Sequence, residues 1–295
     1  MNDVSAVVYD RTMEDIGNIV EFGHVNIRVP DQRLATLFYI VGLGLTRDPY
    51  LVVGVDNMWV NIGHCQFHLP TGTPQVLRGT TGLVVPDLTA LMTRLEEVAP
   101  RLAGTRFSFR RVGDAVEVSC PWGNRIRCHA PDAERFGRIT LGMPYVEVDA
   151  QPGSSEAIVR FYREILGSPG VASEDARGRF AQVSVGLGEC LVFRETGEAL
   201  PAFDGHHIQV ALADFSGPHA RLRERGLITE ESNQSQYRFQ SIIDLASGAV
   251  VAEIEHEVRS MRHPMYARPL VNRDPVQTNN SFAKGREAWM PAMAV

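Results

Sequence analysis

The sequence predicts an α+β protein of four βαβββ modules, paired into two cup-shaped eight-stranded domains. Two observations carry this reading. The block Phe38-Tyr39 followed by Leu43-Gly44 recurs with the same spacing as Phe161-Tyr162 followed by Leu166-Gly167, and Val29-Pro30-Asp31 recurs as Val85-Pro86-Asp87. Around these blocks the hydrophobic period switches from alternation to helical spacing, as a strand feeding a helix requires.

The first module opens with a strand over Glu21–Val29, where His24, Asn26 and Arg28 alternate with Val25, Ile27 and Val29. Asp31 is placed to cap a helix carrying Leu34, Phe38 and Tyr39, which Gly42 and Gly44 end. Strands follow near Tyr50–Val55, Met58–Ile62 and Cys65–Leu69. The second module starts at Gly79–Val85. Its helix sets Leu88, Leu91, Met92, Leu95 and Val98 on one face. Strands near Arg106–Val112, Ala115–Ser119 and Arg125–Cys128 follow, with a Pro121-Trp122-Gly123-Asn124 turn before the last. The third has a strand at Tyr145–Val148, a helix capped by Ser154 or Ser155, and strands near Phe180–Val185 and Cys190–Phe193. The fourth runs from His207–Leu212 through a helix around Pro218–Arg225 to strands at Tyr237–Asp244 and Val250–Glu257.

Sequence order suggests an N-terminal extension over 1–20, a first domain over 21–135, a second over 136–259 and a tail over 260–295. The tail has no apolar period, yet carries Tyr266, Leu270, Phe282, Trp289 and Met290. It is expected to lie ordered across its own domain or a partner in a homodimer, because exposing such side chains is unfavourable.

Charge and composition exclude several classes. The net charge of −6 is spread without clustered Lys or Arg, so no nucleic-acid partner is expected. No apolar run approaches the roughly 18–20 residues of a membrane span, and the polar start lacks the order of a signal peptide. Cys65, Cys120, Cys128 and Cys190 form no CxxC pair, which fits reduced thiols in a cytoplasmic protein.

The FYxxxLG helix end, the opening from Gly23-His24 to Asp31 and the PxGN turn resemble the vicinal-oxygen-chelate superfamily. That group includes glyoxalase I, extradiol dioxygenases and metal-free bleomycin-resistance-type proteins. The resemblance spans about Glu21 to Glu257 and implies cup-lining ligands on the first and last strands of each module. It places a metal site at His207 with Glu253, Glu255 or Glu257, and Glu195 as a further ligand. It gives catalytic roles to Glu255 and Tyr237. A second candidate site is His24 with His68 (or Gln66), joined by His64 or His129. An extradiol enzyme would carry a second histidine where Met143 stands. His256, Arg259 and His263 are candidate substrate-binding groups, continuing into Arg268 as an anion clamp.

The function implied is a metal-dependent enzyme using Fe, Mn, Zn or Ni on a small substrate chelated through neighbouring oxygens: a lyase, isomerase or ring-cleaving dioxygenase. The alternative is a metal-free protein that sequesters a small molecule.

Overall fold

In the computed structural model, residues 9–49 and 56–270 are described. The expected strand at Tyr50–Val55 and the tail beyond residue 270 lie outside them. The first module comprises β1 (Ile19–Asn26), α1 (Gln32–Ala35), β2 (Thr46–Arg47), β3 (Asn57–Ile62) and β4 (Cys65–Pro70). The second comprises β5 (Gly79–Val84), α2 (Leu88–Leu102), β6 (Ser108–Val112), β7 (Ala115–Ser119) and β8 (Arg125–His129). A short helix, α3 (Ala133–Phe136), leads to the third: β9 (Gly142–Ala150), α4 (Ser155–Phe161), β10 (Gly170–Asp175), β11 (Gly178–Ser184) and β12 (Cys190–Glu195). The fourth comprises β13 (His207–Leu212), α5 (Ser216–Glu224), β14 (Ile228–Asn233), β15 (Gln236–Ile243) and β16 (Val250–Ser260).

The four modules form two eight-stranded sheets, but not in sequence order. One sheet runs β14-β15-β16-β13-β1-β4-β3-β2, joining the fourth module to the first. The other runs β10-β11-β12-β9-β5-β8-β7-β6, joining the third to the second. The seams are the antiparallel pairs β1–β13 and β5–β9. The boundary expected between residues 135 and 136 therefore falls inside the second sheet. Periodicity defines a module's own strands but carries no information about which edge it presents to which partner. The first strand of every module is a seam strand, so first-strand residues of modules one and four meet across one cup.

The repeated block has a structural explanation. α1 and α4 each continue as a π-helical turn, Thr36–Gly42 and Tyr162–Leu166, and the Leu43 amide bonds back to the Phe38 carbonyl at 2.8 Å. Both Phe-Tyr pairs are fully buried, the first within its π-turn and the second where α4 passes into its own. Gly44 and Gly167 then take φ of 74° and 72°, the left-handed conformation that stops a helix. Asp31 and Asp87 cap as expected, each accepting from the amides two and three residues on. α4 differs: Glu195, at the end of β12, accepts from the Gly153 and Ser155 amides and the Ser155 hydroxyl. The cap carboxylate thus comes from a distant strand, while the Ser154 hydroxyl donates to Gln151.

β10 and β14 are edge strands with little buried surface, which is why alternation did not reveal them. No helix among the described residues is long and apolar enough to cross a membrane. The four cysteines are free, and burial pushes the Cys128 thiol up to about 12, which removes it as a nucleophile.

Candidate metal centre

The shared cup unites the two candidate sites. His24 on β1 and His207 on β13 approach each other across the seam, with their Nε2 atoms 3.5 Å apart. Glu257 on β16 lies beside His207, its Oε2 3.5 Å from His207 Nε2. A zinc-like ion sits about 2.0–2.2 Å from nitrogen and oxygen ligands. Cis ligand atoms then lie about 3–3.4 Å apart, close to what is present. Next to His24, a Cβ on Gly23 would lie 1.8 Å from Gln209 Oε1, so the Gln209 side chain as placed folds against β1 where glycine leaves room.

Burial holds His24 well below the usual histidine pKa, and the charge of Glu257 only partly opposes it. A neutral imidazole has one bare nitrogen, which a metal requires. At Glu257 burial acts to raise the pKa. The hydrogen bond to His207 and the charge of Arg259 outweigh it, and the carboxyl is held well below its usual range. It is ionised at neutral pH. Two imidazoles and a carboxylate are a donor set suited to a divalent transition metal.

His68 sits beside this group, its ring nitrogen within 4.8 Å of those of His24 and His207. Both of its nitrogens are already used: Nδ1 takes the Asn26 amide at 2.6 Å and Nε2 meets Asn57 Oδ1 at 2.6 Å. Its ring stacks on Trp59 at 3.8 Å, and burial lowers its pKa to about 3. His68 thus stands as a third metal-type ligand beside His24 and His207, with asparagines engaging its nitrogens. His129 lies in the other cup, bonded to the Tyr145 hydroxyl at 2.9 Å.

Among the glutamates of β16, the parallel register sets Glu255 opposite His207. Glu255 Oε2 lies 3.4 Å from His207 Nδ1, the nitrogen away from His24, and accepts from Arg238 at 2.8 Å. That is a place to orient the ring. Glu253 is turned to Gln240 and Arg78 instead, and Glu195 is the α4 cap in the other sheet. The structure brings neither to His207. Met143, the position where a second histidine was sought, is also in the other sheet; His24 of the first module takes that place.

Alternation along β15 and β16 removes two further candidates. Tyr237 points to the helix side and packs on Phe215 and His219. His256 is fully buried there: Nδ1 donates to the Ile254 carbonyl at 2.8 Å, Nε2 meets the Tyr162 hydroxyl at 2.6 Å, and the ring stacks on Phe239. Both are core residues. Arg259 is buried in the cup and pairs with Glu257 at 2.5 Å. His263 lies close enough to feel Arg259, and burial lowers its pKa to about 4.

Sequence reasoning missed Arg238, whose Nη2 donates to Glu257 at 2.6 Å. The alternation Gln236, Arg238, Gln240 was its signal. It also missed Asp48, which binds Gln66 and receives both terminal nitrogens of Arg268. That ion pair ties the strand-free segment after β16 across the cup. Below it remains a cavity of about 30 Å³, lined by Glu21, His24, Gln66, Gln209, Arg259 and Arg268 among others.

The buried histidines link stability to pH. His68 and His256 take a proton near 6.5 when unfolded but near 3 when folded. The unfolded state therefore binds more protons between these values, and stability falls as pH drops through that window. Each group contributes a slope of up to about 1.4 kcal/mol per pH unit. Burial raises Glu21, and Glu189 to about 7, which acts in the opposite direction. With His24, His129 and His263 also lowered by burial, five histidines stand against these two glutamates, so we expect the urea midpoint to fall between pH 6.5 and pH 5. A flat or rising midpoint would refute the neutral assignment.

No protein-family profile and no curated relative matches this sequence. Solved structures do. A candidate dioxygenase from Bacillus subtilis aligns with a TM-score of 0.54 and 17% identity, over 86% of this chain and 87% of that one. Glyoxalase I from Zea mays aligns with a TM-score of 0.56 and 12% identity, over 85% and 95%. With four βαβββ modules, two eight-stranded sheets and these structural likenesses, the chain has the vicinal-oxygen-chelate fold in its tandem two-domain form.

Proposed function

We propose that this chain is a metal-dependent enzyme whose shared cup holds one divalent ion between His24, His207 and Glu257. Its substrate is a small organic molecule chelated through neighbouring oxygens. The observation that supports this reading is the approach of two imidazole nitrogens and one carboxylate oxygen across the module seam, with His24 neutral. Among Fe, Mn, Zn and Ni, two histidines and one carboxylate favour Fe(II) and oxygen chemistry. A dioxygenase therefore stands ahead of a lyase or isomerase.

The bound ion would supply Lewis acidity and open positions for substrate oxygens. The chain's own groups do the rest. Glu255, 3.4 Å from His207 Nδ1, is placed to orient that ring. Arg238 and Arg259 hold Glu257 in place and give the cup positive charge to receive an acidic substrate oxygen. Glu21 lines the cavity, and burial raises its carboxyl pKa, so it is suited to hold or move a proton. The segment carrying Met265, Arg268 and Leu270 roofs the cavity and excludes water. It must shift to admit a substrate, since about 30 Å³ holds no more than a water.

The alternative, a metal-free binding protein, draws support from the two arginines already engaging Glu257. Metal analysis of protein purified without added metal separates the two, followed by reconstitution with each ion and aerobic assay on catechol-like substrates. We expect one ion per chain, lost in His207→Ala and in His24→Ala with the fold retained. Metal-free protein that takes up no ion on reconstitution would select the binding-protein reading.

A further inference from the structure

The second cup, between modules two and three, carries different chemistry. Its cavity is about 780 Å³, within the range of small-molecule sites. Among the described residues the grouped metal-type ligands are those of the first cup, and here arginines occupy the walls. Register places four residues in a row across the floor: Glu117 on β7, Arg127 on β8, Gly82 on β5 and Tyr145 on β9. A Cβ on Gly82 would lie 2.3 Å from the Tyr145 ring, so the missing side chain is what lets that ring lie against the floor. The Tyr145 hydroxyl, with its pKa pushed to about 12 by burial, stays protonated and meets His129.

The lining contains five arginines, at 106, 110, 125, 127 and 177, and two glutamates, at 117 and 147. Glu117 is taken by Arg110, which donates to it through Nε and Nη2 at 3.0 and 2.7 Å. Arg127 is left 3.8 Å from the same carboxylate, too far for a hydrogen bond, and its buried Nε has no partner. Glu147 is engaged by Arg177 and approached by Arg194 at 3.6 Å. Arg125 has Asp149 at 3.1 Å. Arg106 makes no ion pair among the described residues and stands at the rim beside Gly123. The cup therefore holds guanidinium capacity in excess of its acids, over a floor with Tyr145, and with Phe109, Val118 and Ile126 in its lining. Guanidinium forks match carboxylates and phosphates, while the ring and apolar wall match a flat organic body.

We propose that the second cup is a metal-free binding site for a small aromatic anion, with Arg127 as its principal anchor. The site is independent of the metal in the first cup. Calorimetric titration of the full chain with benzoate, phenyl phosphate, inorganic phosphate and neutral benzyl alcohol tests it. We expect saturation by one aromatic anion per chain; which of the two binds more tightly identifies the headgroup. Benzyl alcohol should not bind, and inorganic phosphate should bind at least tenfold more weakly. Arg127→Gln should weaken binding tenfold or more. Glu117→Gln, which removes the competing carboxylate, should tighten it and shows that a change in this row need not disrupt the cup. His207→Ala should leave it unchanged. Absence of saturable binding by either aromatic anion would overturn the proposal. So would loss of binding in His207→Ala with retention in Arg127→Gln, or equal binding of inorganic phosphate.

Discussion

Replacing Glu257 with alanine is expected to abolish the proposed metal binding and to destabilise the protein by about 3–5 kcal/mol. Both effects follow from one carboxylate. Its Oε2 faces His207 and receives Arg238, and its other oxygen is engaged by Arg259. Arg259 is buried, and burial already lowers its pKa. Without Glu257, Arg238 would keep Glu255, but the buried Arg259 would lose its paired carboxylate, and the cost is that of an uncompensated buried charge. Glu257→Gln separates the roles. The amide keeps the shape and accepts one hydrogen bond, so the stability loss should be smaller. It is a much weaker metal ligand, so metal affinity should fall by a hundredfold or more. Urea unfolding of apo protein, with elemental analysis after dialysis, measures the two effects. If Glu257→Gln retained full metal, the carboxylate would not be a ligand and the site would rest on the histidines alone.

Much of the fold was legible because its signals are local. The Asp31 and Asp87 caps, the glycine stops and the α2 stripe each depend on neighbours within a turn or two. β10 and β14 were not legible, because strands exposed on both faces show no alternation. The candidate site was half legible. His24, His207 and the β16 glutamates were all singled out, but as two sites in two cups. The missing fact was the pairing of modules one and four, a contact between residues almost two hundred positions apart that no local period encodes. Once β1 and β13 are neighbours, the separate pairs become one group. Parallel register then sets Glu255 beside His207 Nδ1 and leaves Glu257 to approach His207 Nε2, the nitrogen facing His24. His256 and Tyr237 show the converse. Their residue types suggested chemistry, but the two-residue alternation turns them to the helix side, where each fits into aromatic packing.

The second large effect concerns the segment that roofs the cup. Asp48→Ala is expected to destabilise the protein by about 3–5 kcal/mol, or to release the roof at similar local cost. Asp48 and Arg268 are both buried and lie far apart in sequence, one at the end of the β2 hairpin arm and the other after β16. Arg268 donates from both terminal nitrogens to the two oxygens of Asp48, and Gln66 donates to the same carboxylate. Such a fork fixes position as well as supplying attraction. Other ties of the roof include the Ala267 amide, which reaches Glu21 at 3.3 Å, and Met265 and Leu270, which line the cavity. Removing the carboxylate should therefore loosen residues 265–270 before the sheet itself. Hydrogen exchange would show faster exchange there, with β1 and β13 still protected. The double variant Asp48→Asn with Arg268→Met removes both charges and should recover much of the lost stability, because no buried charge is left alone. If the roof gates the cup, that variant should also admit substrate faster while binding metal as before. Unchanged exchange in Asp48→Ala would mean that the roof is held by other contacts and that Arg268 does not secure it.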